Sequence, residues 1–301
     1  MTQVAFIGLG VMGAPMARRL IASRFATSVY DVRADARAAF SGLDNCRVAT
    51  SPADAAAGAD YLFTMLPESS HVDEVLFGMQ GAAQSLANNA LVVEMSTGDP
   101  RRTMAMAESL EQMGKRMIDC PVGRTPADAK AGTLLILVGG SGDILEEARP
   151  MLACFGDEIV HVGPFGSAIK LKLVNNYMTM VGMVMTAETL MFGRKLGLDR
   201  DMLVHVLQNT VAGRGQINVN FPKKVLAGDL SADFPLRLGL KDLSLALDLA
   251  KSAGAPLLLG GVSRELFALA APWGRSEQDC TAMLLLLEDI AHCDNIGEVR
   301  C

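Results

Sequence analysis

The first half of the chain alternates short apolar runs with longer segments whose apolar residues recur at helical spacing. Runs rich in β-branched and aromatic residues at 4–7, 28–31, 61–65, 91–95, 116–119, 134–138 and 158–162 predict strands. Between them, 12–21, 34–40, 70–77, 101–113 and 144–154 predict helices. The pair Asp99-Pro100 marks a helix start: a capping side chain, then a proline whose missing N–H does no harm. Strands alternating with helices of this length imply βαβ crossovers and a mostly parallel sheet covered on both faces. Past Gly166 no convincing strand follows. The pattern there predicts helices over 168–196, 200–208, 221–226, 235–253, 258–271 and 277–291. The expected organisation is an α/β domain over 1–163 and an all-helical domain over 164–301. The boundary falls in the turn Gly163-Pro164-Phe165-Gly166.

The first chemical signal sits where the first predicted strand gives way to the first helix. Gly8-Leu9-Gly10-Val11-Met12-Gly13 occupies that junction. A dinucleotide needs one glycine for the tight turn, one for backbone approach to the pyrophosphate and one for close helix–strand packing. The cradle from Gly8 and Gly10 through Val11 and Met12 to Gly13 would seat the anion on free N–H groups at the helix start. Asp31 ends the second predicted strand, placed to accept hydrogen bonds from the adenosine ribose hydroxyls. A carboxylate there repels a 2′-phosphate, so NAD is the expected cofactor rather than NADP. Ligands in such sheets bind outside the carboxyl ends of the strands, which adds Leu66, Pro67 and Thr97 to the cofactor crevice. The α/β half thus reads as a Rossmann domain.

Composition narrows the picture further. The 301 residues are 50% hydrophobic, with a net charge of −6. That much apolar surface excludes a disordered chain, and the acidic balance argues against a nucleic-acid partner. Mean hydropathy is +0.28, high for a chain with 20% charged residues. A membrane span does not explain it, because the richest stretch, 177–192, is interrupted by Thr179, Thr186, Glu188 and Thr189. The start of the chain has no basic segment or small-residue cleavage site of a secretory signal. The six cysteines (Cys46, Cys120, Cys154, Cys280, Cys293 and Cys301) form no CxxC pair and read as reduced thiols of a cytoplasmic protein. The histidines are scattered, so no metal site is expected. The segments 177–192 and 283–287 are apolar on more than one face, which predicts burial in a subunit contact.

Three segments together carry a resemblance: the glycine-rich opening, Asp119-Cys120-Pro121-Val122, and Lys172-Leu173-Val174-Asn175-Asn176. They resemble the β-hydroxyacid dehydrogenase family, along essentially the whole chain. The resemblance implies a Rossmann domain, a helical domain opening with a long interdomain helix, and a homodimer or homotetramer. It also implies hydride transfer between NAD(P) and a short hydroxy acid or its semialdehyde, with Lys172 as catalytic proton donor and Asn176 orienting the substrate. Lys172 and Asn176 are four residues apart and share a helix face. Lys241, followed by Asp242, resembles a second family segment whose lysine reaches the cofactor or substrate rim.

One departure from the family pattern is informative. Family members that bind simple carboxylates usually read Ser-Gly-Gly after the valine, whereas this chain reads Gly123-Arg124-Thr125. An arginine brings a planar fork of donors and a permanent charge, suited to a bulky oxyanion. With Asn175, Asn176 and Tyr177, this loop resembles the branch that reduces 3-sulfolactaldehyde with NADH during sulfoquinovose breakdown. That resemblance assigns Gly123, Arg124, Thr125, Asn175, Tyr177 and Lys241 to a small anionic substrate, a sulfonate by preference. The alternative is a carboxylate semialdehyde: succinic, methylmalonic or tartronic.

Overall fold

The central apolar runs become strands buried on both faces, because successive side chains point to opposite sides of the sheet. In the computed structural model, which describes residues 2–292, Val4 and Phe6 enter one core and Ala5 and Ile7 the other. The same division separates Leu91 and Val93 from Val92. Phe6, Phe63 and Phe155 meet in the first core, with the Phe63 and Phe155 centroids 5.5 Å apart and edge to face.

The strands are β1 (Gln3–Ile7), β2 (Ala26–Tyr30), β3 (Cys46–Val48), β4 (Tyr61–Thr64), β5 (Leu91–Glu94), β6 (Arg116–Asp119), β7 (Val122–Gly123), β8 (Leu134–Gly139) and β9 (Gly156–Gly163). Six run parallel in the order β3-β2-β1-β4-β5-β6, that of a dinucleotide-binding sheet. β8 is antiparallel to β6 and β7 and parallel to β9. The helices of this half are α1 (Gly13–Ala22), α2 (Ala34–Ala38), α3 (Pro52–Ala56), α4 (Ser69–Phe77), α5 (Pro100–Gln112), α6 (Pro126–Ala131) and α7 (Gly142–Leu152). Asp99 caps α5 as its sequence predicts, accepting from the Arg101 N–H at 2.8 Å.

The rest is helical: α8 (Ser167–Lys195), α9 (Arg200–Asn209), α10 (Val211–Arg214), α11 (Gln216–Val219), α12 (Leu236–Ser252), α13 (Leu258–Leu269) and α14 (Met283–Ile290). Two helical expectations are corrected. Over 221–226 there are two 3-10 turns, Phe221–Lys223 and Val225–Ala227, separated by the non-helical backbone of Lys224. The last helix starts six residues later than its apolar pattern suggests, after a 3-10 turn at Cys280–Ala282 capped by Asp279. The first compact unit ends at Met178 and so includes the opening turns of α8; the second begins at Thr179. Among the described residues no helix is long and apolar enough to cross a membrane, and no three metal-ligating side chains cluster. Cys46, Cys120, Cys154 and Cys280 are free thiols; Cys293 and Cys301 lie outside the described residues.

Candidate active site

The glycine-rich turn shows which glycines the fold itself demands. A side chain at Gly8 would collide with the Met65 carbonyl, and one at Gly13 with the Gly8 carbonyl. Gly8 also has φ +101°, a left-handed conformation that suits glycine. Gly10 is different: a side chain there would meet nothing within 4 Å. Packing does not explain this glycine, but a pyrophosphate approaching the bare backbone does. α1 has no side-chain cap and no acidic residue in its first turn, which leaves its N-terminus suited to an anion. Val11 is exposed and Met12 half-buried at its start. Asp31 joins this turn to the end of β2, accepting from the Leu9 N–H at 2.7 Å and the Arg33 N–H at 2.9 Å. The residues fit a dinucleotide.

The neighbouring strand ends are tied to one another. The Leu66 N–H after β4 donates to the Ser96 hydroxyl after β5 at 2.9 Å. Exposed Pro67 and half-buried Thr97 line a pocket of about 300 Å³ together with Ser69 and Asp99.

Behind these loops runs a buried polar row that sequence reasoning missed. Thr64, Glu94 and Asp119 are register partners across β4, β5 and β6. Glu94 accepts from the Thr64 hydroxyl and from the Ser96 N–H. Burial pushes its carboxyl up to about 7. Asp119 accepts from the Gly166 and Ile169 N–H groups, each at 2.8 Å, at the start of α8. Burial raises its carboxyl too, while those N–H groups pull it back down. The signal in the sequence was an acid ending each of two apolar strands.

Lys172 follows Ile169 on α8 and is half-buried. Burial alone lowers its ammonium pKa, and no carboxylate pairs with it among the described residues. Asn176, also half-buried, shares its helix face and accepts from the Asn175 amide at 3.3 Å. Asn175 and Tyr177 are exposed.

The loop after β7 is less free than its sequence suggests. The Arg124 guanidinium bonds Asp157 Oδ1 at 2.6 Å, Glu158 Oε2 at 2.6 Å and the Thr133 carbonyl at 2.5 Å. Its backbone is left-handed, φ +73°. Thr125 is engaged as well, because its N–H and hydroxyl bind Asp128 in a capping box at the start of α6. Gly123 closes β7, opposite Leu135 on β8. Lys241 belongs to the second unit, exposed on α12, where it pairs with Asp242 at 3.0 Å.

Comparison with known proteins identifies the family. Residues 3–163 match the family model described as the NAD binding domain of 6-phosphogluconate dehydrogenase. Residues 166–287 match the NAD-binding model of NADP-dependent 3-hydroxyisobutyrate dehydrogenase. The 3-sulfolactaldehyde reductase of Escherichia coli is 41% identical over 285 residues, 94% of this chain and 95% of that protein. The 3-hydroxyisobutyrate dehydrogenase of Homo sapiens is 34% identical over 295 residues, 96% of this chain and 87% of that protein. Among solved structures, the Mycobacterium tuberculosis 3-hydroxyisobutyrate dehydrogenase with L-serine has a TM-score of 0.64 at 28% identity, covering 95% of this chain and 99% of that one. The chain is therefore an NAD-binding oxidoreductase and belongs to the β-hydroxyacid dehydrogenase family, that of 3-hydroxyisobutyrate dehydrogenase.

Proposed function

We propose that this enzyme reduces 3-sulfolactaldehyde to 2,3-dihydroxypropane-1-sulfonate with NADH, with Lys172 as the proton donor. The observation that carries the reading is the half-buried Lys172, free of any carboxylate partner among the described residues. Gly8, Gly10, Val11, Met12, Gly13, Asp31, Leu66, Pro67 and Thr97 would hold the dinucleotide, which when bound supplies the hydride. The lysine ammonium polarises the aldehyde oxygen and then delivers its proton to the forming alkoxide. Partial burial suits this role, because a lysine of lowered basicity releases its proton more readily near neutral pH. Asn176, on the same face, orients the substrate hydroxyl. Preference for NADH rests on Asp31, whose carboxylate at the end of β2 repels a 2′-phosphate.

The substrate class rests on Arg124, with Gly123, Thr125, Asn175, Tyr177 and Lys241 as the remaining candidate contacts, and on the sulfolactaldehyde reductase relative. A sulfonate is fully ionised and offers three oxygens to a guanidinium fork. In this reading it displaces or shares the Arg124 pairs with Asp157 and Glu158. A carboxylate semialdehyde is the second reading, because a longer carboxylate would reach the same Arg124 fork. We further place the enzyme in the cytoplasm, in sulfoquinovose breakdown, as a homodimer or homotetramer built through its exposed apolar helices. The deciding experiment compares kcat/KM for 3-sulfolactaldehyde with succinic, methylmalonic and tartronic semialdehydes, using NADH and NADPH at 340 nm. Preference for sulfolactaldehyde with NADH is expected; a carboxylate substrate preferred by more than about tenfold, a difference near 1.4 kcal/mol, rejects the sulfonate.

A further inference from the structure

We propose that Asp119 is a positioning residue for Lys172, fixing through its carboxylate the first turn of the helix from which the lysine projects. This rests on the role of Lys172 proposed above. Asp119 is 1% exposed, with no arginine or lysine paired to it among the described residues. A buried carboxylate without a cation is expensive to keep, and here its compensation is the N-terminus of α8. Its two oxygens take one N–H each, from Gly166 and Ile169. The clamp therefore holds the residue before the helix and one inside its first turn, which sets both the height and the rotation of α8. Lys172 lies three residues past Ile169, about 4.5 Å further along the axis.

The surroundings are shaped to keep that carboxylate still. A side chain at Gly139, opposite Asp119 on β8, would collide with it. On the other side stands Glu94, itself held by the Thr64 hydroxyl and the Ser96 N–H. Ser96 in turn accepts from Leu66. Glu94 and Ser96 thus join the loops after β4 and β5, and strand pairing sets Asp119, which holds the start of the lysine-bearing helix, beside them. An asparagine at 119 keeps the size and one accepting oxygen but presents an amide N–H₂ to the second N–H, so one anchor is lost.

The test uses the full-length enzyme with Asp119→Asn, Asp119→Ala, Gly139→Ala and Lys172→Met. Asp119→Asn is expected to lower kcat about 10- to 100-fold, the scale of a displacement near 1 Å, with NADH affinity within about twofold of wild type. Asp119→Ala is expected to lose more. The alkaline limb of the kcat–pH profile for reduction moves to higher pH, because a lysine let out of its half-buried seat regains its ordinary basicity. A fold weakened in general lowers the active fraction without moving that limb. Should the Asp119 variants not fold, Gly139→Ala applies the test by pressing on the carboxylate with every polar group retained; a lower kcat with the same limb shift is expected. Unchanged kcat and pH profile in Asp119→Asn, or in Gly139→Ala where the former cannot be purified, overturn the inference while an inactive Lys172→Met leaves the proposed function standing. Near-normal turnover in Lys172→Met rejects both.

Discussion

The two units treat their apolar residues in opposite ways. In the first, Phe6, Phe63, Phe155, Leu62 and Leu91 are completely buried between the sheet and its helices. Among the described residues of the second, the buried cluster is small: Leu236, Ala270, Ala282 and Leu286. Met180, Met183, Val184, Leu245 and Val262 are each more than half exposed there. A sheet with helices on both faces closes its own interior, whereas a long helix apolar all round needs cover from every side. The high mean hydropathy therefore has an owner in α8 and its neighbours. Exposed apolar surface on this scale marks an interaction surface, which is the basis for the proposed homo-oligomer.

The sharpest way to break this contrast is one substitution in each unit. Phe63→Ala removes a ring at the centre of the three-phenylalanine cluster and is expected to cost about 3–5 kcal/mol in chemical denaturation, at any protein concentration. Met183→Glu places a charge on an exposed helix face, so it should hardly destabilise a monomer. It is expected instead to release monomers in light scattering and to abolish the dependence of Tm on protein concentration. A wild-type protein that is monomeric throughout would end the idea that a second copy covers α8.

The buried row sharpens the comparison from the polar side. Glu94 keeps its proton to about 7 when folded, against the usual 4.5. The folded state then binds more protons than the unfolded one between those values, so stability falls as pH rises from about 4.5 to about 7. Glu94→Gln removes this slope. The variant is expected to be steadier than wild type at pH 8 relative to pH 5, by up to about 3 kcal/mol. Equal slopes in both proteins would show that Glu94 is not the buried acid responsible.

Much of the fold was legible because long elements carry their signal locally. All seven expected strands are present, and 116–119 matches β6 at both ends. β3 and β7 were missed because three and two residues are too short to show a period. The non-helical backbone of Lys224 broke a helix that apolar spacing alone suggested. The site divides the same way. The glycine-rich turn and Asp31 announce themselves at fixed offsets, whereas Asp119 acquires its role from N–H groups 47 and 50 residues away. The acids on Arg124 come from 33 and 34 residues away, through strand pairing that no local pattern records.

Arg124, whose partners all belong to the first unit, offers the smallest but most selective test. Its two acidic partners are more than half exposed, so each pair is weak and solvent-screened. If the guanidinium is meant for a substrate anion, Asp157 and Glu158 compete with that anion and hold the fork ready without locking it. Asp157→Asn with Glu158→Gln should then lower KM for the preferred aldehyde about two- to fivefold, leaving kcat unchanged. Arg124→Ala should raise KM and also leave kcat largely intact, since uniform binding is lost rather than transition-state stabilisation. If the pairs are instead structural, anchoring the β7 loop to β9, freeing the arginine loosens the loop and KM rises in the double variant. The direction of that change separates an arginine that serves the substrate from one that serves the fold.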